Sequence, residues 1–162
     1  MIGNDIVDLA LAQKESNWKR NRFLDKIFTK NEQIFINSSE DPTILIWNLW
    51  SRKEAVYKIY NRQTGLRGYF PLQIECCYES PFSGTVFCNG FMYFTQSDIS
   101  TEMIHTIAVA RKDLFEKISK INRRTKIYKT NGIPYLIDVQ SNFVKPVSIS
   151  HHGNFWEGIT II

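Results

Sequence analysis

The segment Ile2-Gly3-Asn4-Asp5-Ile6-Val7-Asp8-Leu9 sets an aspartate among apolar neighbours, in a stretch whose texture predicts a buried strand running into a helix. An isolated carboxylate in that setting is costly unless it is paired or bound to a metal. Any fold open to this chain must therefore bring a cation or a hydrogen-bonding partner to Asp5, which makes it a candidate metal ligand.

A second motif, Trp50-Ser51-Arg52-Lys53-Glu54-Ala55-Val56-Tyr57-Lys58, takes its meaning from helical geometry, because residues four apart stack on one face. Leu49, Val56 and Tyr60 form one stripe. Trp50, Glu54 and Lys58 fall on a neighbouring one, so that an indole, a carboxylate and an ammonium point the same way. A surface Glu–Lys pair at this spacing contributes only about 0.3–0.5 kcal/mol and needs no function to explain it. Taken with Asp5, however, the pattern fits magnesium, which takes one or two protein carboxylates and completes its shell with phosphates and water. Asp5 and Glu54 are the expected metal ligands, and Lys58 would contact the same phosphates and stabilise charge on a leaving group. These residues point to phosphoryl-group chemistry.

Asn17–Ile36 reads as helical with a break at Thr29, where Thr29 and Glu32 are spaced as a capping box. Asp41-Pro42-Thr43 starts the helix that carries Trp50, with an end near Asn61. Leu72–Tyr78, Gly84–Thr95 and Ile104–Arg111 predict a three-stranded antiparallel meander. Asp113–Arg124 predicts an amphipathic helix, and strands follow around Tyr135–Val139, Val147–Ser150 and Trp156–Ile161. Helices precede strands without strict alternation, so the expected class is α+β, an antiparallel sheet packed against helices in one domain spanning residues 1–162.

With 43% hydrophobic residues among 162, the chain can bury a substantial core. The N-terminus carries Asp5 and Asp8 where a secretory signal would be apolar, and no run reaches membrane-spanning length, so a cytoplasmic protein without a membrane role is expected. Cys76, Cys77 and Cys88 are odd in number and include an adjacent pair, which suits neither a disulfide framework nor a zinc site. The net charge of +4 comes with basic clusters at Lys19, Arg20, Arg22 and at Lys117–Lys129. A basic nucleic-acid- or partner-binding module without catalysis is accordingly the rival class. Ser150 and His151 are strand neighbours facing opposite ways, which argues against a Ser-His hydrolase. His105, lone among apolar residues, reads as a strand position.

Three blocks follow one another in a recognisable order. The first is Ile2–Leu9, beside a Gly-x-Asp-x-Val-Glu opening, followed by Arg22–Glu32 with its Phe, basic, Phe-Thr, Glu pattern. The second is Trp50–Lys58, matching Trp-x-x-Lys-Glu-Ala-x-x-Lys. The third runs from Asn131-Gly132-Ile133-Pro134-Tyr135-Leu136 to Val147-Ser148-Ile149-Ser150-His151-His152-Gly153, similar to Gly-Lys-Pro and Ser-Ile-Ser-His blocks. In this order the chain resembles the 4'-phosphopantetheinyl transferase superfamily, and most of all its holo-acyl-carrier-protein synthase branch. Residues 78–126 match no motif.

The resemblance implies a transferase that moves the phosphopantetheine arm of coenzyme A onto a serine of an acyl or peptidyl carrier protein and releases adenosine 3',5'-bisphosphate. It implies Mg2+ on Asp5 and Glu54, with Glu54 or a metal-bound water as base, and Glu54 and Lys58 as catalytic residues. Lys58, Ser150 and His151 would contact coenzyme A phosphates, and the Trp18–Lys26 segment would dock an acidic carrier. Asp8 stands where the family often has glutamate, Ile133 replaces a lysine, and Phe82–Arg111 reads as an added hairpin. Compact synthases of this branch assemble as trimers with shared sites, whereas two-lobed relatives build the site within one chain. A homo-oligomer, with a trimer favoured, is expected.

Overall fold

The computed structural model describes residues 1–162. Strand β1 (Ile2–Asp8) is buried along its whole length, and Asp8 turns it directly into helix α1 (Leu9–Glu15) by accepting a hydrogen bond from the Leu11 N–H at 3.0 Å. Residues 17–22 form turns rather than helix, and Arg22 adopts the left-handed conformation (φ 64°), which a continuous helix does not tolerate. Two short helices follow, α2 (Phe23–Ile27) and α3 (Lys30–Ser38), the latter opened by the expected Thr29–Glu32 capping box. Helix α4 (Pro42–Thr64) is capped by Asp41 and ends at Gly65, whose φ of 71° supplies a left-handed stop just beyond the expected end.

After a 3-10 turn at Pro71–Gln73 come β2 (Ile74–Tyr78), β3 (Ser83–Cys88), β4 (Phe91–Ile99) and β5 (Met103–Val109). With β1 they form an antiparallel sheet in the order β1-β5-β4-β3-β2. The stretch Gly84–Thr95, expected as one strand, is a hairpin. It folds at Asn89-Gly90, both at positive φ (47° and 85°), as the tight turn between two strands requires. The expectation of an added hairpin over Phe82–Arg111 is also corrected. These residues are the middle of the sheet, with β5 paired to β1 from Ile2↔Val109 to Asp8↔Met103.

The C-terminal part forms a second antiparallel sheet from β6 (Ile118–Lys120), β7 (Tyr128–Thr130), β8 (Ile133–Ile137), β9 (Val144–His152) and β10 (Phe155–Ile161), ordered β6-β10-β9-β8-β7. The helix expected over Asp113–Arg124 does not form. Lys112–Lys117 is a 3-10 segment, and β6 then pairs with β10, Ile118 opposite Ile161. Leu114, Phe115 and Ile118 do pack inward, onto Ile2, Val109 and Ile159. Pairing with a remote strand has overridden a short local period.

Helix α4 lies on the first sheet, burying Leu49, Ala55, Val56 and Ile59 against Val7, Ile74, Val86, Tyr93, Ile104 and Ala108. Its contact with β1 is intimate. A Cβ on Gly3 would stand 2.0 Å from the Ala55 carbonyl oxygen, so only glycine permits this approach. The consequence is that the Asp5 strand and the Glu54 helix meet backbone to backbone. The architecture is the α+β class expected, with helices on one sheet and a second sheet against β1.

Candidate active site

Strand β1 is an edge of the first sheet, and β9 covers that edge with side chains instead of a backbone ladder. The Asn4 N–H donates to Ser148 Oγ (2.9 Å), the Ile6 N–H to Ser150 Oγ (3.1 Å) and the Asp8 N–H to His152 Nδ1 (2.8 Å). Alternate residues of β1 thus meet alternate residues of β9, as the two-residue strand period demands. The Ser150 hydroxyl also donates to Asp5 Oδ1 at 2.9 Å. Both of its roles are filled, and its effect is to hold Asp5 in place.

Lys58 reaches across from α4. Its ammonium donates to the carbonyls of Asn4 (2.6 Å) and Ile149 (3.3 Å), joining β1 to β9, and lies 3.5 Å from Asp5 Oδ1. Burial pushes the Asp5 carboxyl above its ordinary value, against the opposing pull of Lys58 and Ser150. Glu54 is raised to about 7, first by burial and then by the neighbouring Asp5 charge. The two acids line one cleft of about 240 Å³ with Trp47, Trp50, Glu15, His151 and His152. The Asp5 charge opposes ionisation of Glu54, as expected where carboxylates share a site.

A second cleft, of about 310 Å³, adjoins the first at His151 and is lined by Lys58, Arg62, Lys129 and His151 with no carboxylate among its walls. Arg62 donates through Nη2 to the Val147 carbonyl, while its buried Nε and Nη1 have no partner. The turn that carries Ile133 closes one side, and Lys129 lies across the β7–β8 hairpin from Pro134.

The structure thus brings Asp5, Glu54, Lys58, Ser150 and His151 to one seam between the sheets. Ser150 is buried and His151 exposed, on opposite faces as neighbours in a strand must be. Asp8 has other work: its oxygens cap α1 and accept the Asn154 N–H at 3.2 Å, contacts that hold its carboxyl below the usual range. Lys53 lies in the same sequence motif as Glu54 but is fully buried, 2.7 Å from Glu32, with further bonds to the Pro71 and Ile74 carbonyls. His105 is a buried strand residue contacting Asn4 Nδ2 at 3.2 Å, and burial lowers its pKa. Sequence reading missed Arg62, although it continues the stripe of Trp50, Glu54 and Lys58 by one more turn. It also missed Tyr69, which no spacing marks, and named Lys129 only as part of a basic cluster.

The family model of the 4'-phosphopantetheinyl transferase superfamily matches residues 1–110. The chain belongs to that superfamily. Its relatives include the holo-[acyl-carrier-protein] synthase of Protochlamydia amoebophila, 39% identical over 57 residues, 35% of this chain and 47% of the relative. That of Caldanaerobacter subterraneus is 34% identical over 74 residues, 46% of this chain and 56% of the relative. The chain therefore spans about half the length of these relatives. Among solved structures, the Neisseria meningitidis holo-[acyl-carrier-protein] synthase superposes with a TM-score of 0.56 at 20% identity, covering 68% of this chain and 97% of that one. The Helicobacter pylori enzyme, in complex with coenzyme A, gives 0.52 at 16%, covering 67% and 98%. These likenesses agree on the fold. No helix is long and apolar enough to cross a membrane.

Proposed function

We propose that this chain transfers the 4'-phosphopantetheine group from coenzyme A to a serine of an acyl or peptidyl carrier protein, with Mg2+, releasing adenosine 3',5'-bisphosphate. The observation that carries this reading is that Asp5 and Glu54 line one cleft, with the Lys58 ammonium 3.5 Å from Asp5 at its border. Burial and the Asp5 charge raise the Glu54 carboxyl to about 7, and the one nearby ammonium is already committed to backbone carbonyls. That donor set suits a hard divalent cation. Asp5 and Glu54 would hold it, and when bound it would neutralise charge on the diphosphate of coenzyme A.

The protein's own groups divide the remaining work. Glu54, on the wall of that cleft, takes the proton of the carrier serine as that oxygen attacks phosphorus. Lys58 turns from Asp5, its longest contact, toward the leaving phosphate, while its bonds to Asn4 and Ile149 keep it anchored. Ser150 fixes Asp5. Arg62, Lys129 and His151 receive phosphate in the acid-free cleft, so the lysine replaced by Ile133 has cationic substitutes on the same walls. The exposed basic residues of the Trp18–Lys26 segment offer an acidic carrier its docking surface.

Because β9 faces β1 within the same chain, we take residues 1–162 as one catalytic unit. The trimer expectation came from relatives that share sites between subunits; here an intrachain strand supplies the covering side chains.

Intact mass of an apo carrier incubated with the protein, coenzyme A and Mg2+ tests the proposal. A gain of one phosphopantetheine is expected, lost with Glu54→Gln or with chelator. An unmodified carrier across a panel of acyl and peptidyl carriers, together with salt-sensitive binding to nucleic acid, would favour the rival module instead.

A further inference from the structure

The hydroxyl of Tyr69 is buried and meets no hydrogen-bond partner. Such orphans are rare enough to require a reason. The ring is held by two edge-on contacts, 5.6 Å between centroids at 68° to Trp50 and 5.4 Å at 73° to Tyr57. Trp50 and Tyr57 lie on α4 on either side of Glu54, four residues before it and three after, on the same helix face. A ring wedged between them lies over position 54. The loop is fastened there as well, since the Gly68 N–H donates to Tyr57 Oη at 3.2 Å. The Tyr69 hydroxyl stands near enough to the Glu54 carboxyl to draw it toward ionisation yet short of a well-formed hydrogen bond, and burial with the Glu54 charge keeps the phenol protonated. Tyr69 is therefore a neutral donor beside a carboxylate, poised but unpaired.

We propose that Tyr69 is a positioning residue for Glu54, its hydroxyl donating to the carboxylate when a divalent cation is bound and so fixing the orientation in which Glu54 meets the metal. The inference rests on the reading of Asp5 and Glu54 as metal ligands. Carboxylates that ligate metals are themselves hydrogen-bonded, and losing such a partner typically weakens metal affinity by roughly 10–100-fold. The aromatic frame explains why the donor is a tyrosine: Trp50 and Tyr57 fix the ring, so its hydroxyl needs little further ordering.

Tyr69→Phe keeps the ring and removes only the hydroxyl. Mn2+ affinity of the full chain, read from the electron paramagnetic resonance of free Mn2+, is expected to weaken about 10-fold or more in Tyr69→Phe, with the melting temperature unchanged or slightly raised. Transferase activity lost at low Mg2+ should return when Mg2+ is raised, a rescue that damage to packing would not show. Equal Mn2+ affinity in wild type and Tyr69→Phe, with Glu54→Gln defective, overturns the proposal alone. A wild type that binds no Mn2+ overturns the metal reading and this inference together.

Discussion

Glu54 is the acid to which the proposed function gives the proton transfer, and its ionisation should be visible as stability. Its carboxyl is raised in the folded protein from 4.5 to about 7, so the fold favours the protonated form. That stabilisation is fully present below about pH 4.5 and is lost as the pH rises through about 7, an effect on the order of 3 kcal/mol for a shift of this size. Glu54→Gln keeps the neutral shape at every pH. In metal-free buffer, the stability of wild type relative to Glu54→Gln should fall between pH 5 and pH 8. Taking the difference removes the opposing contribution of His105, whose lowered pKa costs stability toward acid. A difference that stays flat with pH would contradict the assignment. Added Mg2+ should raise the wild-type melting temperature more at pH 8 than at pH 5, because it binds the ionised pair.

Lys53 makes the opposite point at the same scale. It sits beside Glu54 in the motif, yet its ammonium is sealed against Glu32, which in turn accepts the Cys76 and Thr29 N–H groups. Lys53→Met would leave Glu32 buried without its partner, and urea denaturation should show a loss of about 3–5 kcal/mol. A loss below 1 kcal/mol would mean that the pair does not join α3, α4 and β2 as the contacts indicate.

At the scale of elements, the seam between β1 and β9 decides whether the acids are held in place. Ser150→Ala removes the bond to Asp5 and leaves the Ile6 N–H without its acceptor, so thermal unfolding should show about 1–3 kcal/mol of destabilisation together with reduced transfer. Unchanged transfer with normal stability would separate Ser150 from the site. Much of this level was legible in the sequence. The apolar frame of Asp5, the Asp41-Pro42 start, the Thr29–Glu32 box and the stripe of Trp50, Glu54 and Lys58 are local signals, and each is found. What escaped depends on distant partners: β6 takes its form from β10, and the role of Ser150 exists only because β9 faces β1. The hairpin at Asn89-Gly90 had a local signal, a turn-forming pair between two apolar runs, although the strand pattern read as continuous across it. Tyr69 had none, since its importance comes from a ring slotted between two helix residues from a loop.

For the whole molecule, the C-terminal sheet answers a need created by the first. Residues 1–110 carry the family match and leave β1 as an exposed edge, which proteins cover or pair. Residues 144–152 cover it from within the chain. Light scattering at micromolar concentration should therefore report a monomer that is fully active, and activity that required a trimer would contradict the single-chain site. The same seam sets two clefts side by side, one acidic and one basic, joined at His151. The proposed function assigns a cation to the first and a polyphosphate to the second.

The most direct measurement is a crystal of the full chain soaked with Mn2+ and coenzyme A, with the anomalous signal of the metal recorded. The account predicts one strong peak in contact with both the Asp5 and Glu54 carboxylates, at about the 2.1 Å typical of small divalent cations, with the diphosphate running toward Arg62 and Lys129. A peak that touches only one of the two acids, or a coenzyme bound away from this seam, would contradict it.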